Sequence, residues 1–577
     1  VPSPLHIIDA IGPFFRGFGR RTINWSKIPW QNVRDTQCEE DRAWWQQVRA
    51  DLGILGRKAA TWGYNTVSLD DVAHLADHEW LEPPVRDRIA KLRAAFRECI
   101  STLRSCGLEV YVTMDVLSTT PGLRQRLKEE GIPVAAFLAG LLDCFLSDFP
   151  EVAGVIARIG ESDGKDVQDD FHSELVIKTA GQANKLLRTL LPVFEKHRRR
   201  LIFRTWTVGA YPIGDLMWHR DTFARVVQGI ESDALVISMK YGESDFFRYL
   251  PLNKNFFRTK VAKIVELQAR REYEGCGEYP SFTGWEYDRH IRELRQAENV
   301  IGCMVWCQTG GWVPFRRLAL LDDSALWIDL NVFVTIRLMR EGAVVEDAIA
   351  EFARERGISD VRAFIELLRL SDEVIRELLY LEEFATRKMF FRRVRVPPML
   401  QVYWHNIFIS HSVKKVMLHF VSDPESVLRT SRRCLDALER MRVLAREAGL
   451  PEADIEFMQD TFSLLALARE YYFKPFTPET ETRIRDAKKA YKRKYPKSGP
   501  RARYRVKTNF TPFLLQRRYL GWAMGVLMRG QRGYRWIDHI LTLHLVSLAY
   551  RVISRRRPQW IPEFARDSAM GMDVVFK

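Results

Sequence analysis

Eight cysteines are spread over 577 residues, and no two of them stand in a Cys-x-x-Cys spacing. Cys303 and Cys307 come nearest to a metal half-site. Both lie in an apolar run with no second pair nearby, so no metal site is expected. A disulfide framework is not indicated either. No apolar run reaches the roughly 20 residues of a membrane-spanning helix. The best candidate, WIDHILTLHLVSLAYRVI (536–553), is interrupted by Asp538, His539 and His544 and reads as a core helix. No Gly-x-Gly-x-x-Gly follows the first expected strand, which removes the usual support for a dinucleotide-binding sheet. No internal repeat or low-complexity tract stands out.

What is present is apolar surface and positive charge. Hydrophobic residues make up 46 % of the chain and aromatics 12 %, enough for large cores in two or three domains. Lys and Arg number 88 against 73 Asp and Glu, a formal charge of +15. Much of the excess lies in RIRDAKKAYKRKYPKSGPRARYRVK (483–507). That segment reads as a solvated basic connection, with contact to an acidic polymer or a membrane surface as the alternative. Nucleic-acid binding is not expected. The sequence opens at Val1 rather than Met, which leaves the compartment open, cytoplasmic or periplasmic/secreted.

From about residue 18 to 315, short β-rich runs alternate with helical stretches. The expected strands are RTINW (21–25), YNTVSLD (64–70), EVYVTMD (109–115), VAGVIARIG (152–160), LIFRTWTV (201–208), ALVISMK (234–240), KIVELQAR (263–270) and NVIGCMVWC (299–307). Strands that are apolar almost throughout, separated by amphipathic helices, predict a parallel (β/α)8 TIM barrel. A doubly wound open sheet is its structural rival. Beyond Trp312 the pattern turns amphipathic and helical, as in 325–357 and 427–450. The expected division is a lead-in over 1–17, a barrel over 18–324 and an all-α C-terminal region over 325–577, with homo-oligomerisation through its helices.

Active sites of such barrels lie at the C-terminal ends of the strands. Residues at or just past those ends include Trp25, Asp70, Asp71, Asp115, Glu161, Asp163, Arg204, Trp206, Lys240, Glu243, Asp245, Glu272, Glu274, Trp306, Gln308 and Trp312. Any one of these acids would ordinarily be a solvated or ion-paired end group. Together they match what a sugar needs: indole faces to stack on, polar groups for hydroxyls, and acids able to cleave an acetal.

Four segments are similar to the xylan α-glucuronidases of glycoside hydrolase family 67. MKYGESDF (239–246) resembles that family's Val-Lys-Asn-Gly-Pro-x-Asp-Phe, and ELQARREYEG (266–275) resembles Glu-Leu-Gln-Ile-Thr-Gln-Glu-Tyr-x-Gly. GVIARIGESDG (154–164) resembles the strand that ends in the family's acid, and FRTW (203–206) its Trp-Arg-Ala-Phe element. The resemblance runs from about residue 20 to 350, and the α/β domain ahead of that family's barrel has no counterpart in it. It implies Glu161 as general acid, with Asp245 and Glu272 holding and deprotonating a water. Lys240 and Arg204 would bind a substrate carboxylate or steady the acids. Where the family has a lysine four positions before its acid this chain has Ala157, with Arg158 adjacent.

The expected activity is therefore an inverting, exo-acting glycosidase that releases an α-linked glucuronic acid or related sugar from an oligosaccharide or polysaccharide, with an anionic glycan among the expected substrates. Glu161, Asp245 and Glu272 would be catalytic. Lys240, Arg204, Trp206, Arg158, Trp25, Asp115, Trp306 and Trp312 would contact substrate. Neither cofactor nor metal is required. A retaining glycosidase of other specificity and a non-catalytic carbohydrate-binding barrel are the alternatives.

Overall fold

The computed structural model describes residues 3–19, 27–35, 38–160, 169–207, 211–310, 313–391, 394–396, 402–403 and 405–512, with scattered positions between 516 and 560. The chain divides into two compact units. The first is Val1–Glu243, Leu252–Arg270 and Glu286–Gly342; the second is Ser244–Pro251, Arg271–Trp285 and Ala343–Lys577.

The first unit is a closed barrel of eight parallel strands. They are β1 (Leu5–Asp9), β2 (Thr66–Asp70), β3 (Glu109–Asp115), β4 (Gly154–Gly160), β5 (Arg200–Thr207), β6 (Leu235–Lys240), β7 (Lys263–Gln268) and β8 (Val300–Trp306). Each strand pairs with its neighbours in chain order, and β1 closes the ring on β8 with Leu5 opposite Gly302 and Ile8 opposite Val305. Both faces of these strands are covered, so runs such as LVISMK and KIVELQ are buried along their whole length. Gly302 is required at the seam, because a Cβ there would stand 1.8 Å from the Leu5 carbonyl oxygen.

The first strand corrects the sequence reading. RTINW (21–25) lies outside the described residues, and the strand that closes the barrel is the earlier LHIID, inside the stretch expected to be a lead-in. Its five residues are all buried. They are followed by a Gly-Pro-Phe-Phe 3₁₀ turn and a further connection, so the first helix, α1 (Glu39–Trp62), begins some way on.

Further helices are α2 (Pro83–Ser105), α3 (Pro121–Glu130), α4 (Val134–Asp148), α5 (Ala180–His197), α6 (Arg220–Val227), α7 (Gly284–Leu294) and α8 (Leu326–Glu341). Helix α5 shows how the sequence sets a boundary. Thr179 accepts from the Gln182 amide while the Gln182 side chain accepts from the Thr179 amide, a reciprocal cap. Its Leu186, Leu187, Leu190, Leu191 and Phe194 form the buried face.

The second unit is largely helical. It contains α9 (Val345–Glu355), α10 (Val361–Val374), α11 (Glu382–Ala385), α12 (His411–Phe420), α13 (Pro424–Glu447), α14 (Glu452–Phe473) and α15 (Pro478–Lys494), with a π-helical turn, Ile375–Leu379, continuing α10. It also holds two three-stranded sheets, an addition to the expected all-α region. One of them pairs Asn406–Ser410 in parallel with Arg505–Asn509. The basic stretch is thus mostly helix and strand rather than an open connection. Several of its charges have local partners: Lys494 with Glu456 at 2.7 Å and Asp460 at 2.5 Å, Arg485 with Glu481 at 2.6 Å, and Arg501 with Asp454. Among the described residues no helix is long and apolar enough to cross a membrane.

Candidate active site

At the C-terminal ends of β2, β3 and β4 lies a buried, charge-balanced cluster. Arg158 of β4 reaches Asp70 at 3.0 Å and Asp115 at 2.6 Å. Lys27, from the connection after β1, pairs with Asp115, and its ammonium donates to Ser173 Oγ at 2.9 Å. Asp70 also accepts from the Thr113 hydroxyl at 2.5 Å, the Ile28 amide at 3.0 Å and the Trp30 indole at 3.1 Å. The two carboxylates are driven apart in acidity. Burial, with Asp71 adding to it, raises Asp70. At Asp115 burial acts in the same sense but is outweighed by Arg158 and then Lys27, so its pKa falls. Arg158 and Asp115, expected to touch substrate, are therefore brought together and bound to each other.

A second cluster fills the barrel interior toward β5, β6, β7 and β8. Arg204 binds Glu266 in a two-point pair, Nε to Oε1 at 3.0 Å and Nη2 to Oε2 at 2.8 Å. The Ser238 hydroxyl donates to Oε1 at 2.7 Å and the Trp306 indole to Oε2 at 3.0 Å. The Arg204 guanidinium also lies 4.7 Å from the Trp306 ring centre. Burial pushes the Glu266 carboxyl up, but Arg204 and then Lys240 hold it below its ordinary range. Beside it the Lys240 ammonium stands 3.5 Å from the centre of the half-buried Trp206 ring. Arg204, Trp206, Lys240 and Trp306 thus gather in one place. Glu266, matched in the Glu-Leu-Gln motif but given no role there, is what holds Arg204.

A third cluster joins the connections that follow β1, β2 and β4. His74 places Nδ1 2.8 Å from Asp71 and Nε2 2.6 Å from Asp169, and its ring stacks on Trp30 at 3.7 Å with only 4° between the planes. Burial alone would depress the imidazolium; Asp169 and then Asp71 outweigh it and raise the pKa to about 10. Nothing in the sequence spacing marks His74, Trp30, Lys27 or Asp169, because each gains its role only from contacts made by distant segments.

The acids expected to hold the water belong to the second unit. Asp245, in the segment following β6, accepts from the Phe246 amide at 3.0 Å and from the Tyr273 hydroxyl at 2.5 Å. Glu272 is buried beside Tyr273, in the segment following β7, and the Tyr273 ring lies 4.4 Å from Phe247. Glu161, Trp25 and Trp312 lie outside the described residues. Glu161 directly follows Gly160, the last residue of β4. Gly160 is compelled by the close approach of β5, since a Cβ there would meet Thr207 Cα at 2.3 Å. Among the described residues no group of three His, Cys, Asp or Glu side chains is placed to hold a metal ion.

No family model and no curated protein matches this sequence. Solved structures similar to the chain include a GH138 enzyme targeting pectin rhamnogalacturonan II, with a TM-score of 0.49, 10% identity, and 96% of this chain and 69% of that one covered. A family 89 glycoside hydrolase from Clostridium perfringens is similar at a TM-score of 0.36 and 10% identity, over 85% of this chain and 54% of that one. An O-GlcNAc hydrolase mutant from Thermobaculum terrenum is similar at 0.35 and 12% identity, over 77% and 85%. Identities this low concern the fold alone.

Proposed function

We propose that the protein is a glycoside hydrolase that acts on a glycan by inversion, releasing an α-linked glucuronic acid or a related sugar from a chain end. The observation that carries the proposal is the character of the barrel's C-terminal strand ends. Asp70, Asp115, Arg158, Arg204, Lys240 and Glu266 are buried charges there, with the half-buried indole of Trp206 among them. The Trp306 indole, expected to contact substrate, is itself buried and engaged by Glu266 and Arg204. Charged hydrogen-bonding groups beside aromatic faces suit a sugar ring, which offers hydroxyls at its edge and C–H bonds on its faces.

In this reading Glu161 protonates the glycosidic oxygen as it leaves, while Asp245 and Glu272 orient a water and take its proton. Inversion needs the acid and the base about 6.5–9.5 Å apart, with the water between base and anomeric carbon. Lys240 and Trp206 provide a cation and a ring face for the sugar. Arg204 is occupied by Glu266, so its part is to shape the wall that Lys240 shares. Arg158, bound to Asp70 and Asp115, does the same on the other side of the barrel.

The test is a screen of aryl glycosides and uronic-acid-decorated oligosaccharides against wild type and the E161Q, D245N and E272Q variants. Under the proposal each variant loses several orders of magnitude in kcat on substrates with poor leaving groups while still binding them. Proton NMR during turnover should show the anomer opposite to that of the substrate. A hydrolysed glycan on which all three variants keep wild-type rates would overturn the residue assignments, and an anomer of unchanged configuration would overturn inversion.

A further inference from the structure

The second unit contains a buried ionic hub that the proposed chemistry leaves unused. Glu274 accepts hydrogen bonds from Arg248 Nε at 3.1 Å and Nη2 at 3.0 Å, Arg271 Nε at 3.2 Å, Ser281 Oγ at 2.6 Å and Tyr380 Oη at 2.8 Å. Arg248 continues to Asp372 Oδ1 at 2.9 Å and to the Phe282 carbonyl at 2.8 Å. Glu274, Arg248 and Arg271 are all but inaccessible to solvent. Burial pushes the Glu274 carboxyl up, but Arg248 and then Arg271 outweigh it and hold it well below the carboxylate range.

A network of this kind contributes little stability beyond apolar packing of the same volume, because each charge must first be stripped of water. What it does fix is geometry. Its members come from three places in the chain: Arg248 from 244–251, Arg271, Glu274 and Ser281 from 271–285, and Asp372 and Tyr380 from α10 and the residue after its π-helical turn. Arg248 lies three residues after Asp245, and Arg271 and Glu274 flank Glu272 and Tyr273. The turn they hold is a conformation the backbone would not keep unaided, with Arg271 at φ 54° and Cys276 at φ 54°.

We infer that Glu274 is a positioning residue. It ties the Asp245 segment to the Glu272 segment and both to α10, so that the two acids keep a fixed separation. The inference rests on the glycosidase reading of Asp245 and Glu272, and it assigns the helical region a part in catalysis through those two segments alone.

Because Glu274→Gln would strand two buried guanidiniums, the test uses Tyr380→Phe and Ser281→Ala, which each remove one hydrogen bond to Glu274. Hydrogen exchange is followed by mass spectrometry in the full-length chain, and turnover on the glycan found in the screen. In each variant the amides of 244–251 and 271–285 should exchange at least tenfold faster together, with the barrel strands unchanged. The kcat should fall about tenfold with KM within twofold. Segments that loosen separately or not at all would overturn the inference, as would a lowered melting temperature with kcat unaltered. Coupled exchange in a protein that turns over no glycoside would instead overturn the glycosidase reading, leaving the mechanical coupling in place.

Discussion

The Tyr273 hydroxyl donates to Asp245 at 2.5 Å across 28 residues of sequence. Since Tyr273 directly follows Glu272, the two acids expected to share a water are separated by one hydrogen bond and one residue of backbone. Asp245 is thereby oriented by the segment that carries its proposed partner.

Tyr273→Phe should separate the two. Loss of a hydrogen bond to a charged acceptor costs about 1.5–3 kcal/mol. We expect a urea midpoint lowered accordingly, and a kcat reduced about tenfold on the glycan identified by the screen. Tyr273→Phe with an unchanged kcat would show that Asp245 needs no such orientation.

The Arg204–Glu266 pair should behave as a unit. Glu266→Gln or Arg204→Met alone leaves one fully buried charge without its partner, a loss of about 3–5 kcal/mol in urea denaturation. The double variant Arg204→Met/Glu266→Leu should lose clearly less than the sum of the two single changes. Strict additivity would mean that the pair is not coupled in the folded protein.

His74 predicts a pH dependence of known sign. Its pKa is raised from the ordinary 6.5 to about 10 in the folded chain. Its stabilising contribution is therefore complete below the unfolded value and is lost as pH rises through about 10. Wild type should exceed His74→Gln in stability by a constant amount between about pH 5.5 and 6.5, and the margin should shrink progressively up to pH 10. Chemical denaturation at half-unit steps reads this directly, and a margin that widens with pH would contradict it.

Gly160→Ala should be poorly tolerated although the glycine lies in a strand. The added carbon would stand 2.3 Å from Thr207 Cα, backbone that cannot rotate away. Overpacking at a site this rigid costs on the order of 1–3 kcal/mol or more. Activity should suffer further because Glu161 is the next residue. Thermal melts and glycosidase assays on the same preparation test both.

The barrel was legible in the sequence where burial on both faces writes itself as a continuous apolar run. LVISMK, KIVELQ and EVYVTMD are examples, and each appears within a residue or two of its expected bounds. LHIID was missed because five buried residues followed by Gly-Pro-Phe-Phe carry no helical partner close by. The basic stretch is solvated as expected, with Arg483, Arg485, Lys489, Lys492, Arg493 and Lys494 exposed. Much of it, however, is helix and strand rather than a connection, and Glu456, Asp460 and Asp454 of α14 stand opposite some of its charges, which no local pattern announces. The candidate site shows the same division. Strand-end residues such as Lys240, Glu274 and Trp306 could be read from position, whereas what Glu274 does, and the place of His74 at all, depend on partners up to about a hundred residues away.

The pairing of Leu5–Asp9 with Val300–Trp306 sets a condition on synthesis. One edge of β1 stays open until some 300 residues have left the ribosome, which at about 5–20 residues per second is roughly 15–60 s. Throughout that wait the nascent chain presents two unsatisfied sheet edges, each able to recruit another polypeptide. Production of this protein should accordingly benefit from chaperones that cover the open edges during synthesis more than from any ligand added after release.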